Sequence, residues 1–142
     1  MGNLEGGVNV KKLCIALIAV LVFGLATTAF AKNMFSFEYI SYENGGTTGY
    51  IPKNDNEQIM YVTVEEHDLI SGDEVKFKGR DESNDVMTNT ITFTNNSGLR
   101  RTTSYSTYCG AGTRIRLHGV CSKYSNSQGT DRIFTTEGRW TP

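Results

Sequence analysis

The hydrophobic and polar positions after residue 32 alternate with a period of two. Apolar side chains recur at every second position within short segments, and Gly, Asn, Asp and Ser separate the segments. This period is typical of a β-strand with one face in a core, because successive side chains point to opposite faces of a sheet. The pattern predicts strands over residues 35–42, 58–66, 74–79, 87–94, 99–106, 114–121 and 133–140, with a short edge strand near Tyr50 and Ile51.

The predicted strands are short, regularly spaced and joined by turn-forming residues. No stretch after Lys32 has apolar residues at helical spacing over a useful length. Residues 95–98 are expected to form a hairpin-type turn, and Trp140 is expected to fill the core from the last strand. We therefore predict an all-β fold, a small antiparallel β-sandwich of about six to eight strands.

Residues 1–31 have the pattern of a cleavable, helical signal peptide. Two cations precede an apolar run over residues 13–26. Ala29 and Ala31 then provide the small-x-small pattern that places the cut before Lys32. An uncleaved membrane anchor is the alternative, but the run is shorter than the ~20 apolar residues of a spanning helix. We expect a secreted, extracellular protein that keeps no membrane span after cleavage.

Residues 1–9 differ in composition from the rest of the leader. They include Glu5-Gly6-Gly7, which a purine-rich, ribosome-binding-like string can encode. Val10 can be encoded by a GTG start codon a few nucleotides further on. We therefore expect translation to start at Val10, and we expect one secreted domain over residues 32–142.

The predicted secreted domain is almost neutral. It holds 12 basic and 14 acidic residues, a net charge of −2. A nucleic-acid-binding domain has a basic face, so this balance argues against nucleic acid as a partner. The sequence contains no phosphate loop, nucleophile elbow or zinc-protease motif, and we expect no cofactor, no metal and no enzymatic activity.

Two cysteines fall within the predicted secreted domain, Cys109 and Cys121. An even pair in an exported domain predicts a disulfide, which would close a loop of about a dozen residues. Free thiols or a metal-binding pair are the alternatives, although no histidine lies at the spacing of a zinc ligand. We expect the disulfide.

One predicted strand carries a row of basic side chains, Arg114, Arg116 and His118. Such a row could hold an anionic headgroup, a phosphate or an acidic sugar. A solvated strand face without a ligand is the alternative. Arg100 and Arg101 would extend the row only if their strand lies next to it.

Other candidate side chains are aromatic or acidic. Tyr105 and Tyr108 are candidates for stacking on a sugar, because their rings offer flat apolar faces. His67 lies among carboxylates in Glu65-Glu66-His67-Asp68, which could orient a base or bind a metal, and a solvated strand end is the alternative that we favour. The acidic segment 81–85 lacks the spacing of a calcium-binding loop, and we predict that it forms a plain turn.

The two ends of the predicted domain carry a family resemblance. Phe35-Ser36-Phe37, the strand over residues 114–119 and Gly138-Arg139-Trp140 resemble a family of small secreted bacterial proteins of unknown function. The layout also resembles the lactococcin-like bacteriocins. The first resemblance implies no catalytic residues, and the second implies action on a bacterial envelope.

These features predict a secreted, non-enzymatic β-domain that binds an extracellular or cell-envelope partner. The alternative is a bacteriocin-like toxin that acts on the envelope of related bacteria. An enzyme built on His67 or His118 is a third hypothesis.

Overall fold

A computed structural model describes residues 33–40, 43–125 and 132–142. These residues form nine β-strands. In chain order they are β1 Asn33–Tyr39, β2 Gly45–Thr47, β3 Ile51–Pro52, β4 Ile59–His67, β5 Glu74–Arg80, β6 Ile91–Phe93, β7 Arg100–Ser104, β8 Arg114–Lys123 and β9 Phe134–Thr141. The predicted signal peptide, its cut before Lys32 and the proposed start at Val10 lie outside the described residues. Within that described part, no helix is long and apolar enough to cross a membrane.

The strands pair into two antiparallel sheets, which confirms the predicted β-sandwich. The first sheet has the order β1-β9-β4-β7, and the second has the order β2-β8-β5-β6, with β3 also pairing with β8. The described strands outnumber the predicted six to eight because β2, in a segment rich in glycine, was not predicted. The short edge strand expected near Ile51 is β3.

The core lies between the two sheets and follows the predicted alternation. The buried apolar side chains of the first sheet are Phe35, Phe37, Tyr39, Met60, Val62, Val64, Phe134 and Trp140, and those of the second are Val75, Phe77, Ile91, Phe93, Ile115, Leu117 and Cys121. Aromatic rings join the sheets, since the ring centroids of Phe35 and Phe77 are 5.4 Å apart. Trp140 is only 1% exposed, as expected for a residue that fills the core.

The middle of the chain differs from the sequence prediction in two places. The strand predicted over 87–94 is regular only in β6, because Thr88 accepts the Gly79 N–H through its side-chain Oγ1 at 2.9 Å instead of through its backbone. The turn over 95–98 is not a hairpin turn. It carries the chain from β6 in the second sheet to β7 in the first sheet.

Gly138 lets β9 lie close against β4. An ideal Cβ on Gly138 would lie 2.0 Å from the Thr63 carbonyl oxygen, which is far inside the contact distance. The register of the two strands also shifts next to this point, between Val64 and Glu66, as in a β-bulge. Any side chain at this position would therefore have to push two backbones apart.

Cys109 and Cys121 are both free and buried, so the predicted disulfide is wrong. Two hydrogen bonds of 2.9 Å from the Gln58 side chain hold the backbone of Cys109 beside the start of β4. Cys121 lies near the opposite end of β8, and the extended strand from Arg114 to Cys121 spans ~23 Å. A disulfide needs Cα atoms within about 7 Å. The short spacing in sequence led to a wrong prediction, because an extended strand, and not a loop, separates the two thiols.

Gly138→Ala should lower the free energy of unfolding by about 2–3 kcal/mol, because the new methyl group overlaps the Thr63 carbonyl and the strands must separate. Gly98→Ala is the matched control, since an ideal Cβ there meets nothing within 4 Å. Chemical denaturation of both variants and the wild type measures the difference. Equal stability of the two variants would contradict the close approach of β9 to β4.

Both thiols should resist alkylation in the folded protein and react after denaturation. Burial shields the two sulfur atoms and raises the pKa of both the Cys109 and the Cys121 thiol. Peptide-resolved mass spectrometry after iodoacetamide treatment, with and without denaturant, measures the reactivity of each cysteine. An intact mass reduced by the hydrogen pair that a disulfide loses would show that the thiols are not free.

Candidate anion-binding site

The outer face of the second sheet carries a group of basic side chains. The register of β5 and β8 places Lys78 opposite His118 and Arg80 opposite Arg116. Their neighbours along each strand are buried in the core, so these four side chains face outwards. Opposite residues lie ~5 Å apart in an antiparallel sheet, and alternate residues of one strand lie ~7 Å apart. We call Lys78, Arg80, Arg116 and His118 the cationic block.

Within the described part of the chain, no carboxylate forms an ion pair with the cationic block. The next cations on the same two strands are neutralised. Arg114 Nη1 lies 2.7 Å from Glu82 Oε1, and Lys76 Nζ lies 3.4 Å from Glu74 Oε1. Like charges directly opposite one another destabilise a sheet. The block is therefore a compact area of uncompensated positive charge between two ion pairs.

Asn84, in the loop after β5, connects the two arginines. Arg80 Nη1 donates to the Asn84 carbonyl oxygen at 2.7 Å, and Arg116 Nη2 donates to the Asn84 side-chain oxygen at 2.6 Å. Asn84 has φ +67°, a left-handed conformation that Asn adopts more readily than most residues. The Arg116 guanidinium also lies 5.1 Å from the Tyr50 ring centroid. These contacts hold both arginines and use only part of their hydrogen-bonding capacity.

Three nitrogen atoms of the cationic block are shielded from solvent and unpaired. Nε of Arg80, Nε of Arg116 and Nδ1 of His118 have no hydrogen-bond partner among the residues that the structure describes. An unpaired buried polar atom costs about 1–3 kcal/mol, so native structures normally satisfy such atoms. The block therefore has spare donors of the kind that an oxyanion accepts.

The environment of His118 favours its neutral form. Burial lowers the pKa of His118 below its usual value, and the charges of Arg80, Arg116 and Lys78 lower this pKa further. Both effects act against the positively charged imidazolium. The block thus combines three basic side chains with an imidazole that can take up a proton when an anion arrives.

The structure brings together three of the five predicted binding residues. Arg114, Arg116 and His118 share the outer face of β8, as the alternation predicted. Tyr105 is instead buried in the core, and Tyr108 is 72% exposed in the segment before β8. The two tyrosines are therefore not part of the row.

Sequence reasoning missed Lys78 and Arg80 and considered Arg100 and Arg101 instead. The strand that carries the arginine pair, β7, belongs to the first sheet and cannot extend the row on β8. The outward positions of Lys78 and Arg80 were visible in the alternation of β5. The missing information was the strand order, which makes β5 the neighbour of β8.

A second polar cluster surrounds Lys53, which is 1% exposed. Its Nζ donates to Asp55 Oδ1 at 2.5 Å and lies 5.4 Å from the Tyr105 ring centroid. The Lys53 hydrogen bond lowers the pKa of the Asp55 carboxyl, whereas burial raises the pKa of Tyr105 and of Cys109. Because its ammonium is paired and closed to solvent, we assign Lys53 a structural role between β3 and β4.

His67 ends β4 and takes part in a local turn. Its Nδ1 accepts the backbone N–H of Leu69 at 3.3 Å. Across the described ranges, no group of three or more His, Cys, Asp and Glu side chains is placed to hold a metal ion. The structure therefore adds no second ligand or base to the carboxylates that precede His67 in the sequence.

Comparisons with protein-family models, with curated proteins and with solved structures give no match for this chain. The resemblance to small secreted bacterial proteins and to bacteriocins thus stays a prediction. A function has to be argued from the cationic block itself.

Arg80→Gln should raise the pKa of His118 towards 6.5, because it removes one of the charges that hold this pKa down. Arg100→Gln is the matched control, since Arg100 is exposed on β7 of the other sheet. Titration of the imidazole signals by NMR measures the pKa in each variant. A His118 pKa that responds equally to both substitutions would contradict the local charge effect.

Proposed function

We propose that this protein is a secreted, non-enzymatic binding domain that holds an anionic extracellular or cell-envelope partner on its cationic block. The observation that carries the proposal is the pair Arg80 and Arg116, directly opposite each other with no carboxylate between them in the described structure. Two guanidinium groups placed in this way repel each other until an anion lies between them. The arrangement thus favours a bound anion over an empty face.

The chemistry of the block supports binding and not only surface solvation. Guanidinium groups form paired hydrogen bonds with carboxylates, phosphates and sulfates, and lysine adds a point charge. Asn84 and Tyr50 restrain the arginines before any ligand is present. Restraint of this kind lowers the entropy that side chains lose on binding.

The location of the block suits a large partner. It lies on the outward positions of two regular strands, where its side chains are partly exposed, so a polymer or a membrane can approach it from outside the fold. The net charge of the predicted domain, −2, shows that this positive area is local and is not part of a generally basic surface. A local area of this size recognises one anionic group of its partner.

Arg80→Gln/Arg116→Gln should weaken binding to isolated bacterial envelopes by about tenfold or more, because each charged hydrogen bond contributes about 1.5–3 kcal/mol. Arg100→Gln/Arg101→Gln removes the same charge from β7 of the other sheet and should bind like the wild type. Co-sedimentation with envelopes at several salt concentrations measures the affinity, and circular dichroism checks that each variant is folded.

The proposal fails if the two double variants bind as tightly as the wild type, or if both lose the same affinity. A growth assay on related bacteria forms a second arm. Growth inhibition by the wild type, with loss of inhibition in the Arg80/Arg116 variant only, would assign the block to the bacteriocin-like alternative.

A further inference from the structure

We infer that the group held by the cationic block is a phosphate monoester carried by the partner. This inference rests on the proposed function and narrows its ligand from any anion to a compact oxyanion with two negative charges. The size of the block, its charge and its free donors each support it.

The ion pairs at both ends of the block limit the size of the ligand group. Glu82 neutralises Arg114 beyond one end, and Glu74 neutralises Lys76 beyond the other. A linear polyanion laid along β8 would meet these carboxylates and be repelled. The uncompensated area measures ~7 Å along the strands and ~5 Å across them, which fits a single tetrahedral oxyanion reached by long side chains.

The charge of the block favours a dianion. Lys78, Arg80 and Arg116 are three basic side chains that each bring one positive charge. One carboxylate or one phosphodiester offers a single negative charge and would leave most of this charge uncompensated. A phosphate monoester carries about −1.5 to −2 charges at pH 7 and has three strong acceptor oxygens.

The unpaired nitrogen atoms provide matching donors. Both arginines keep Nε without a partner in the described structure, although one Nη of each binds Asn84. Because these Nε atoms are shielded from solvent, the arginine side chains have to turn outwards before a guanidinium can present two neighbouring N–H groups to two oxygens of one phosphate. His118 Nδ1 is the third unpaired nitrogen, and once protonated it donates as well.

Binding of a dianion should also change the protonation of His118. The charged groups that act on its imidazole are Lys78 and Arg80 from β5 and Arg116 from β8, and the residue opposite it on β2 is the uncharged Thr47. A dianion placed among these cations reverses the local potential and favours the imidazolium. Binding is therefore coupled to proton uptake, and the affinity should rise as the pH falls towards about 6, where the monoester itself gains a proton.

Methyl phosphate and dimethyl phosphate are matched probes, because the second methyl group removes one negative charge and changes little else. We expect methyl phosphate to bind about tenfold or more tightly than dimethyl phosphate at equal ionic strength, because it adds one charge within a few ångströms of three cations. We also expect methyl phosphate, but not dimethyl phosphate, to raise the pKa of His118 in an NMR titration. Arg80→Gln/Arg116→Gln should abolish both effects, and Arg100→Gln/Arg101→Gln should preserve them.

Vesicles distinguish the possible sources of the monoester. Phosphatidylcholine vesicles with a minor fraction of phosphatidic acid present a monoester headgroup, and those with phosphatidylglycerol present a diester. Selective binding to phosphatidic acid supports a lipid source. Binding of methyl phosphate without selective vesicle binding supports a soluble or polymer-linked monoester.

Equal affinity for the two methyl phosphates would overturn the inference. So would envelope binding that depends on Arg80 and Arg116 while methyl phosphate leaves the His118 signals unchanged. Both results leave the proposed function in place, because they concern only the identity of the anion. Envelope binding that does not respond to the Arg80/Arg116 variant overturns the proposed function itself.

Discussion

The alternation of side chains along β8 couples the core of this protein to its outer surface. β8 is hydrogen-bonded to β2, β3 and β5, so it fixes the positions of most of the second sheet. Its inward residues Ile115 and Leu117 are fully buried, and its outward residues include Arg116 and His118. A shift of the strand by one residue would turn basic side chains into the core, where an unpaired charge is strongly unfavourable. The core therefore fixes the register that assembles the cationic block.

The sequence alone predicted the long strands well because each has a polar face and an apolar face. β1, β5 and β8 show this alternation, and the apolar residues predicted on one face of each of these strands are buried. The prediction was weaker where side chains replace backbone pairing. The Thr88 hydroxyl accepts the Gly79 N–H, and the regular part of β6 begins only at Ile91, later than the run of threonines suggested. The number and spacing of the cysteines led to a wrong disulfide prediction, because neither indicates that the chain between the two cysteines is extended.

The candidate site was predictable on one strand only. Alternation places Arg116 and His118 on one face, but sequence cannot tell which strand lies beside them, because neighbours in a sheet are separated by large distances along the chain. Lys78 and Arg80 come from a strand more than thirty residues earlier, and they more than double the local charge that Arg116 provides. The net charge of the sequence did not indicate this local positive charge. Carboxylates elsewhere in the chain balance the total charge, but in the described residues they do not pair with the cationic block.

Unfolding of this protein would have a chemical consequence, because it would expose the two buried thiols. In the native state Cys109 precedes β8 and Cys121 lies near the far end of this strand, so the extended chain keeps the two sulfur atoms apart. In the unfolded chain the same cysteines are joined by a short flexible segment and meet often. In an oxidising medium, a disulfide formed in that state would be incompatible with the extended native strand and would oppose refolding. Under oxidising conditions the lifetime of the native protein would therefore be set by how slowly it unfolds, and not by its equilibrium stability.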